Sequence, residues 1–369
     1  MSIRELVSGA SIVVCCGSGG VGKTTTAAAL AVEAARLGRR ACVVTIDPAK
    51  RLADALGLES LTNMPGRVEG PWSGELWAVM LDTKSTFDAL VTQYADTPAQ
   101  AERILANRLY RNISGALSGT QEYMAMEKLF ELHQAAGVGD APAYDLIVVD
   151  TPPTRNALDF IDAPRRLTKF LDNRLFRLLV MPSRTYLRAV SVATQAFLRT
   201  VARVVGAEVV DDAVAFFQSF EGMEQGFRER AQRVLELLAD DATVFVLVAS
   251  PRRDTVEEAL YFADRLIEAG IGVDGLVVNR MHPRFGAVTG SAAADRSRAE
   301  TLASTPLGGL FANLADFRQV AEHEEEHLAE LAERVAPAPV ARVPFLDHDV
   351  HDLDGLGEVA AALMAAADS

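Results

Sequence analysis

The chain has 369 residues, 49% of them hydrophobic and 23% charged, and a formal net charge of −14. This is an ordinary soluble composition with enough apolar material for a large core, in one large domain or two. The acidic balance argues against nonspecific binding to DNA or anionic lipid, the three cysteines form no CxxC pair for a zinc site, and no apolar run reaches membrane-spanning length.

The opening residues, Met1-Ser2-Ile3-Arg4-Glu5-Leu6, do not read as a signal peptide, and a cytoplasmic location is expected. The apolar β-formers Ile12-Val13-Val14-Cys15-Cys16 lead into Gly17-Ser18-Gly19-Gly20-Val21-Gly22-Lys23-Thr24, and a helical pattern starts at Thr25. A strand, a glycine-rich turn and a helix start in that order are what a phosphate-binding loop needs, because glycines let successive N–H groups turn inward onto phosphate oxygens. Lys23 is then the residue that reaches the β- and γ-phosphates, and Thr24 the hydroxyl that holds Mg²⁺. The candidate nucleotide-binding residues here are Gly17, Ser18, Gly19, Gly20, Val21, Gly22, Lys23, Thr24 and Thr25. Gly17-x-Gly19-x-x-Gly22 also fits a dinucleotide fingerprint, with Asp47 where an NAD-binding acid would sit, but that reading leaves Lys23-Thr24 unexplained.

The first helix runs from Lys23 to Leu37 and stops at Gly38; Arg40 to Ile46 is a second buried strand, with Cys42 inside it. It ends in Asp47-Pro48-Ala49-Lys50-Arg51, where a carboxylate beside the loop suits water activation, or caps the helix that follows. Glu75 to Leu81 reads as a strand, and Thr97 to Ala136 as mostly helix with breaks near Ser114-Gly115 and Ser118-Gly119. Ala143 to Val149 is a buried strand ending in Asp150-Thr151-Pro152-Pro153-Thr154. After a phosphate loop, an apolar strand ending in Asp is the Walker B pattern, whose carboxylate supports Mg²⁺. Lys23, Asp47 and Asp150 are therefore the candidate catalytic residues, and Thr24 and Asp150 the candidate metal ligands.

From Arg155 to Leu238 apolar positions recur at helical spacing, as in Leu175, Leu178, Leu179 and Val190, Ala193, Phe197. The spacing predicts a helical subdomain over 97–136 and 155–238, inserted in a single domain spanning 1–369. Its apolar surface is helix-bundle core or a client groove, and Arg184, Arg188, Arg199 and Arg203 are read as a solvated face. Thr243 to Ala249 is another buried strand, Thr255 to Ala269 a helix, and Val273 to Asn279 a strand whose last residue lies at the ligand edge. Pro283 to Pro306 reads as loop, Ala312 to Val335 as a polar helix, and Val340 to Val343 as a last strand before Pro344-Phe345-Leu346-Asp347 and a terminal helix. The rhythm predicts an α/β fold with a doubly wound, mostly parallel sheet. His323-Glu324-Glu325-Glu326-His327 matches the H-E-x-x-H zinc pattern, but its acidic helix reads as a solvated charged face.

With the loop, Asp47-Pro48-Ala49 and Asp150-Thr151-Pro152-Pro153-Thr154 together, the chain resembles the anion-transporting ATPases, the family of the arsenite-pump and tail-anchored-protein-targeting ATPases. The resemblance implies a P-loop NTPase fold, ATP and Mg²⁺, and a dimer closing over two nucleotides to move client-binding helices. It implies that Asp47 positions the attacking water, that Asp150 lies in the second switch, and that Asn279 and the Pro344-Phe345 loop contact adenine. The chain carries one such unit, so a homodimer or a heterodimer with a related ATPase is implied, with a protein client or membrane-protein partner. Three positions depart from the family pattern: Ser18 stands where a lysine reaches across the dimer, Arg155 where a switch glycine stands, and Arg252 where a glutamate is expected. The metalloid-binding cysteines and the zinc CxxC are absent as well.

Overall fold

A computed structural model describes residues 2–46, 51–108, 110, 120–135, 144–151, 162–166, 168–169, 172, 203, 206–220, 222–285 and 290–365. The chain divides into two compact units: Met1–Met80 with Asp140–Ala157 and Asp241–Ser369, and Leu81–Gly139 with Leu158–Asp240.

The first unit is built on an eight-stranded sheet. Its strands are β1 (Ile12–Cys16), β2 (Arg40–Thr45), β3 (Gly66–Val68), β4 (Glu75–Met80), β5 (Leu146–Asp150), β6 (Thr243–Ala249), β7 (Gly275–Met281) and β8 (Val340–Pro344). They lie in the order β3-β4-β2-β5-β1-β6-β7-β8. Every pairing is parallel except that of β3 with β4. Strands β1, β5 and β6 are buried along their whole length. That is why they read as unbroken apolar runs, not as an alternation of apolar and polar residues. The chain passes from β1 to β2 on one side and, after β5, crosses to β6 on the other. The strand order therefore reverses beside β1, and a crevice opens there at the carboxyl ends.

On one face lies the alanine-rich helix Lys23–Arg36, buried from Thr26 through Ala35. Side chains that small let the helix come close to the sheet. The C-terminal helix Leu353–Ala365 packs on it through Leu356, Val359, Ala360 and Leu363, which recur at the spacing of one helix face.

Several elements differ from the sequence reading. A helix Ile3–Gly9 opens the chain; the Ser2 hydroxyl accepts from the Glu5 N–H at 3.2 Å, and the Glu5 carboxylate accepts from the Ser2 N–H at 2.6 Å. The stretch read as loop from Pro283 to Pro306 contains the helix Ala292–Thr301, whose N-terminal N–H of Ala294 is accepted by the Ser291 hydroxyl at 3.2 Å. Few of its residues are buried, so no apolar period marks it. The helix expected from Ala312 begins at Pro306, a residue suited to a first helical position.

The second unit contains the helices Thr83–Tyr94, Pro98–Ala106, Thr120–Gln134, Ala207–Gln218 and Glu224–Leu238. Its core is aromatic: Tyr110 stacks on Phe87 with ring centres 5.4 Å apart, and Phe216 meets Phe220 edge-on at 4.9 Å. Glu127 is buried and would be costly unpaired; Arg230 Nε donates to it at 2.7 Å while its guanidinium lies 3.9 Å from the Phe130 ring centre. Arg203 is exposed. Arg184, Arg188, Arg199 and the apolar positions Leu175, Leu178, Leu179, Val190, Ala193 and Phe197 lie outside the described residues, as do the breaks at Ser114-Gly115 and Ser118-Gly119. Among the described residues no helix is long and apolar enough to cross a membrane.

In the first unit one side chain ties three segments. Arg39 donates to the carbonyl oxygens of Val7, Ala10 and Asp145, joining the end of the first helix to the start of β5. Replacing Arg39 by Ala strands those acceptors, and we expect a loss of about 2–4 kcal/mol in urea unfolding with an unchanged m-value. Replacing its neighbour Arg40, which pairs with Asp145 at the surface, should have a much smaller effect.

Candidate functional site

The loop between β1 and the helix Lys23–Arg36 fits against its neighbours too closely for side chains at two points. A Cβ on Gly17, at φ +149°, would lie 2.1 Å from the Val248 carbonyl oxygen on β6. One on Gly22, at φ +97°, would lie 2.0 Å from Asn279 Nδ2. Both contacts forbid a side chain, and Gly22 adopts a backbone conformation that other residues resist. Val21 is buried, Gly19 and Gly20 are exposed at the apex, and Thr25 is half-buried on the first helical turn.

Lys23 is only 6% exposed, and its Nζ donates back to the Ser18 carbonyl oxygen at 2.8 Å. Burial pulls its pKa down, and the Asp150 carboxylate opposes that. The Ser18 hydroxyl is buried with no hydrogen-bond partner among the described residues. Burial above all, with the Asp150 carboxylate adding to it at Cys15, raises the neighbouring thiols, Cys16 to about 12, so Cys15 and Cys16 are inert packing groups.

Asp150 is brought to the loop by strand register. It sits opposite Cys15 on β1 and Thr45 on β2. One of its oxygens, Oδ2, accepts from the Thr24 hydroxyl at 2.8 Å and from the Thr45 hydroxyl at 2.9 Å. The Ile46 N–H donates to the Asp150 carbonyl oxygen at 3.3 Å, and the Thr151 hydroxyl to that of Cys15 at 2.8 Å, so β1, β2 and β5 end in one row. A carboxylate beside a hydroxyl is a hard oxygen donor set, which fits Mg²⁺. Asp47, Pro152, Pro153, Thr154 and Arg155 lie outside the described residues.

The far wall comes from β7 and β8. Between Val278 and Met281, β7 has one more residue than β8 has between Arg342 and Pro344, which makes a bulge at Asn279-Arg280. Asn279 Nδ2 donates to the Val21 carbonyl oxygen at 2.9 Å, and Arg280 Nη1 to that of Gly20 at 3.1 Å. Beyond the bulge, the Phe345 N–H donates to the Met281 carbonyl oxygen at 2.7 Å. The Phe345 ring is 58% exposed and lies parallel to His282, with centres 6.2 Å apart. Pro344 ends β8 beside it, half-buried.

Glu324 fixes His282 twice, accepting from its backbone N–H at 2.8 Å and meeting its ring Nδ1 at 2.6 Å. The stretch from His323 to His327 is thus not wholly a solvated face. Glu324 is turned inward and Glu325 accepts from Arg342 Nε at 2.8 Å, while His323 and His327 are exposed. Arg252, where the family pattern expects glutamate, is exposed and paired with Asp254 at 2.9 Å.

Lys23, Thr24, Asp150 and the loop are therefore brought together on one side, and Asn279, Pro344 and Phe345 on the other. Thr45, Arg280 and His282 were not singled out in the sequence, and Glu324 was read there only as part of a solvated charged face. Thr45 carried the one usable signal, a hydroxyl ending an apolar strand next to a motif residue.

The family model described as anion-transporting ATPase matches residues 10–288, from the strand before the loop to beyond Asn279. The chain belongs to the anion-transporting ATPase family. With membership comes the class of chemistry, ATP binding and hydrolysis. The match stops short of Pro344 and Phe345. The chain is 24% identical to a putative arsenical pump-driving ATPase of Aquifex aeolicus, over 95% of this chain and 77% of that one. It is 25% identical to the ATPase GET3 of Malassezia globosa, over 73% of this chain and 72% of that one. It is 31% identical to an uncharacterised protein of Streptomyces coelicolor, over 72% of this chain and 61% of that one.

Gly22→Ala tests the fit of this ATPase's loop. The new methyl group must displace Asn279 and carry about 1–3 kcal/mol of backbone strain. We expect the affinity for a fluorescent ATP analogue to fall about tenfold or more while the far-ultraviolet spectrum stays unchanged.

Proposed function

We propose that the chain is a Mg²⁺-dependent ATPase subunit whose nucleotide cycle drives opening and closing of a dimer on a protein or membrane partner. The observation that carries this reading is the meeting of Lys23, Thr24 and Asp150 at the glycine loop, where three strands end in one row. Lys23 gives up its bond to the Ser18 carbonyl and moves its ammonium onto the β- and γ-phosphates, while the loop N–H groups hold the β-phosphate. Thr24 and Asp150 would hold Mg²⁺, which neutralises charge on the transferring phosphoryl group. Thr45 keeps the Asp150 carboxylate aimed at the loop when Thr24 turns away. Asp47 positions the attacking water. Asn279, Pro344 and Phe345 take the base, and the exposed Phe345 ring offers it a stacking face. The second unit supplies the inserted helical subdomain and the client surface, and the protein works in the cytoplasm.

Ser18 supports a heterodimer with a relative that keeps the signature lysine. A cation supplied from a partner subunit is worth about 10³-fold or more in rate. The same position favours a second reading, an ATP-binding regulatory subunit with little hydrolysis of its own.

Two measurements test these readings. Lys23→Ala should abolish binding of a fluorescent ATP analogue, and full binding by that variant would remove the proposal. Mg-ATP turnover of the chain alone should be low and should rise at least about tenfold on mixing with a lysine-bearing relative. Turnover that stays flat on mixing leaves the regulatory reading, unless Arg155→Ala silences the isolated chain and so marks Arg155 as the cation in cis.

A further inference from the structure

Arg280 is the one non-glycine residue with positive φ, 64°, among the described residues. Residues hold that conformation at a cost, and they do so where the surroundings dictate it. Here the cause is the β7 bulge. In a regular strand, consecutive side chains leave opposite faces. The bulge instead sends Asn279 and Arg280 to the adjacent carbonyls of Val21 and Gly20, so both reach the same loop. The Arg280 N–H donates to Asn279 Oδ1 at 2.9 Å, which locks the pair together.

The charge of Arg280 is not spent on a carboxylate of the described residues. Arginines elsewhere in the unit pair with acids, among them Arg40, Arg252, Arg296 and Arg342. Arg280 has no carboxylate partner among the described residues, in a chain with 50 acidic and 36 basic residues. One of its five donors is used on the Gly20 carbonyl, and the guanidinium is otherwise exposed at the loop apex. Close by, the Ser18 hydroxyl is buried with no partner among the described residues, at the position where the family pattern carries a lysine.

We propose that Arg280 is a phosphate-binding residue: its guanidinium donates to the polyphosphate of the nucleotide held by its own loop and so adds a positive charge in cis. This rests on the ATP-binding reading above. It concerns ground-state grip on the nucleotide and is separate from any rate-enhancing cation brought by a partner.

The test is Mg²⁺-dependent binding of a fluorescent ATP analogue to the full chain and four variants. Arg280→Gln keeps a donor for the Gly20 carbonyl but removes the charge; Arg280→Ala removes both; Arg280→Lys keeps the charge. Arg284→Ala removes the same charge from an exposed neighbour with no hydrogen bond or ion pair to the site among the described residues. We expect Arg280→Gln and Arg280→Ala to bind about tenfold to a hundredfold more weakly, with a shallower salt dependence. Arg280→Lys should recover most of the affinity, and Arg284→Ala should match the unsubstituted chain.

A role limited to bracing the loop would leave Arg280→Gln near normal, or Arg280→Lys as poor as Arg280→Ala; either result overturns the proposal. An equal loss in Arg284→Ala overturns it too, by assigning the effect to net charge. If the unsubstituted chain binds no ATP analogue, the ATP-binding reading and this inference fall together, whereas normal binding by every Arg280 variant removes this inference alone.

Discussion

The site depends on how closely the loop backbone approaches the carboxyl edge of the sheet. Gly17 touches the Val248 carbonyl on β6, and Gly22 touches the Asn279 amide on β7. With no side chain between, the loop is gripped from β6 and β7 on one side and from Asp150 and Thr24 on the other. A loop held at both ends keeps its N–H groups pre-aimed, so little ordering is left for a nucleotide to bring about. The strand order makes this possible. Only the place where the connections part, beside β1, leaves room at the carboxyl edge for such a loop.

Much of this was legible in the sequence because buried parallel strands and a phosphate loop both leave strong local marks. The runs at 12–16, 146–149 and 244–249 are continuous and apolar, and each lies in a strand buried along its length. The loop carries its chemistry in eight consecutive residues. The helix Ala292–Thr301 was not legible, for it buries only Ala292 and Asp295 and so shows no apolar period. The three-residue strand β3 is too short to carry a pattern. The opening helix does leave a mark, the Ser2-to-Glu5 capping box, but too little apolar spacing follows it to set a helical period.

The unread part of the site shares one physical cause, which is that it arises from register. Thr45 matters because β2 and β5 place it opposite Asp150, a fact about pairing between residues far apart in the chain. Arg280 matters because one extra residue in β7 turns it onto the loop. Glu324 lies within a run of like charges, yet it faces inward to His282 where its neighbours His323 and Glu326 face solvent. Which member of such a run is buried is decided by the strand it lies against, and composition does not record that.

Electrostatics gives these register effects their weight. The chain is strongly acidic, and a nucleotide triphosphate brings still more negative charge, so attraction at the loop must be local and short-ranged. In the proposed reading Lys23 provides it; burial weakens that ammonium's hold on a proton, and the nearby Asp150 opposes this. A second cation gains most where it is itself held and not neutralised by an acid. Arg280 meets both conditions, being fixed through Gly20 and Asn279 and paired with no carboxylate among the described residues. Whatever cation a partner brings across the dimer, Arg280 sets one of this chain's own beside the loop, from the adjoining strand, where the bulge and not the motif decides how far it reaches.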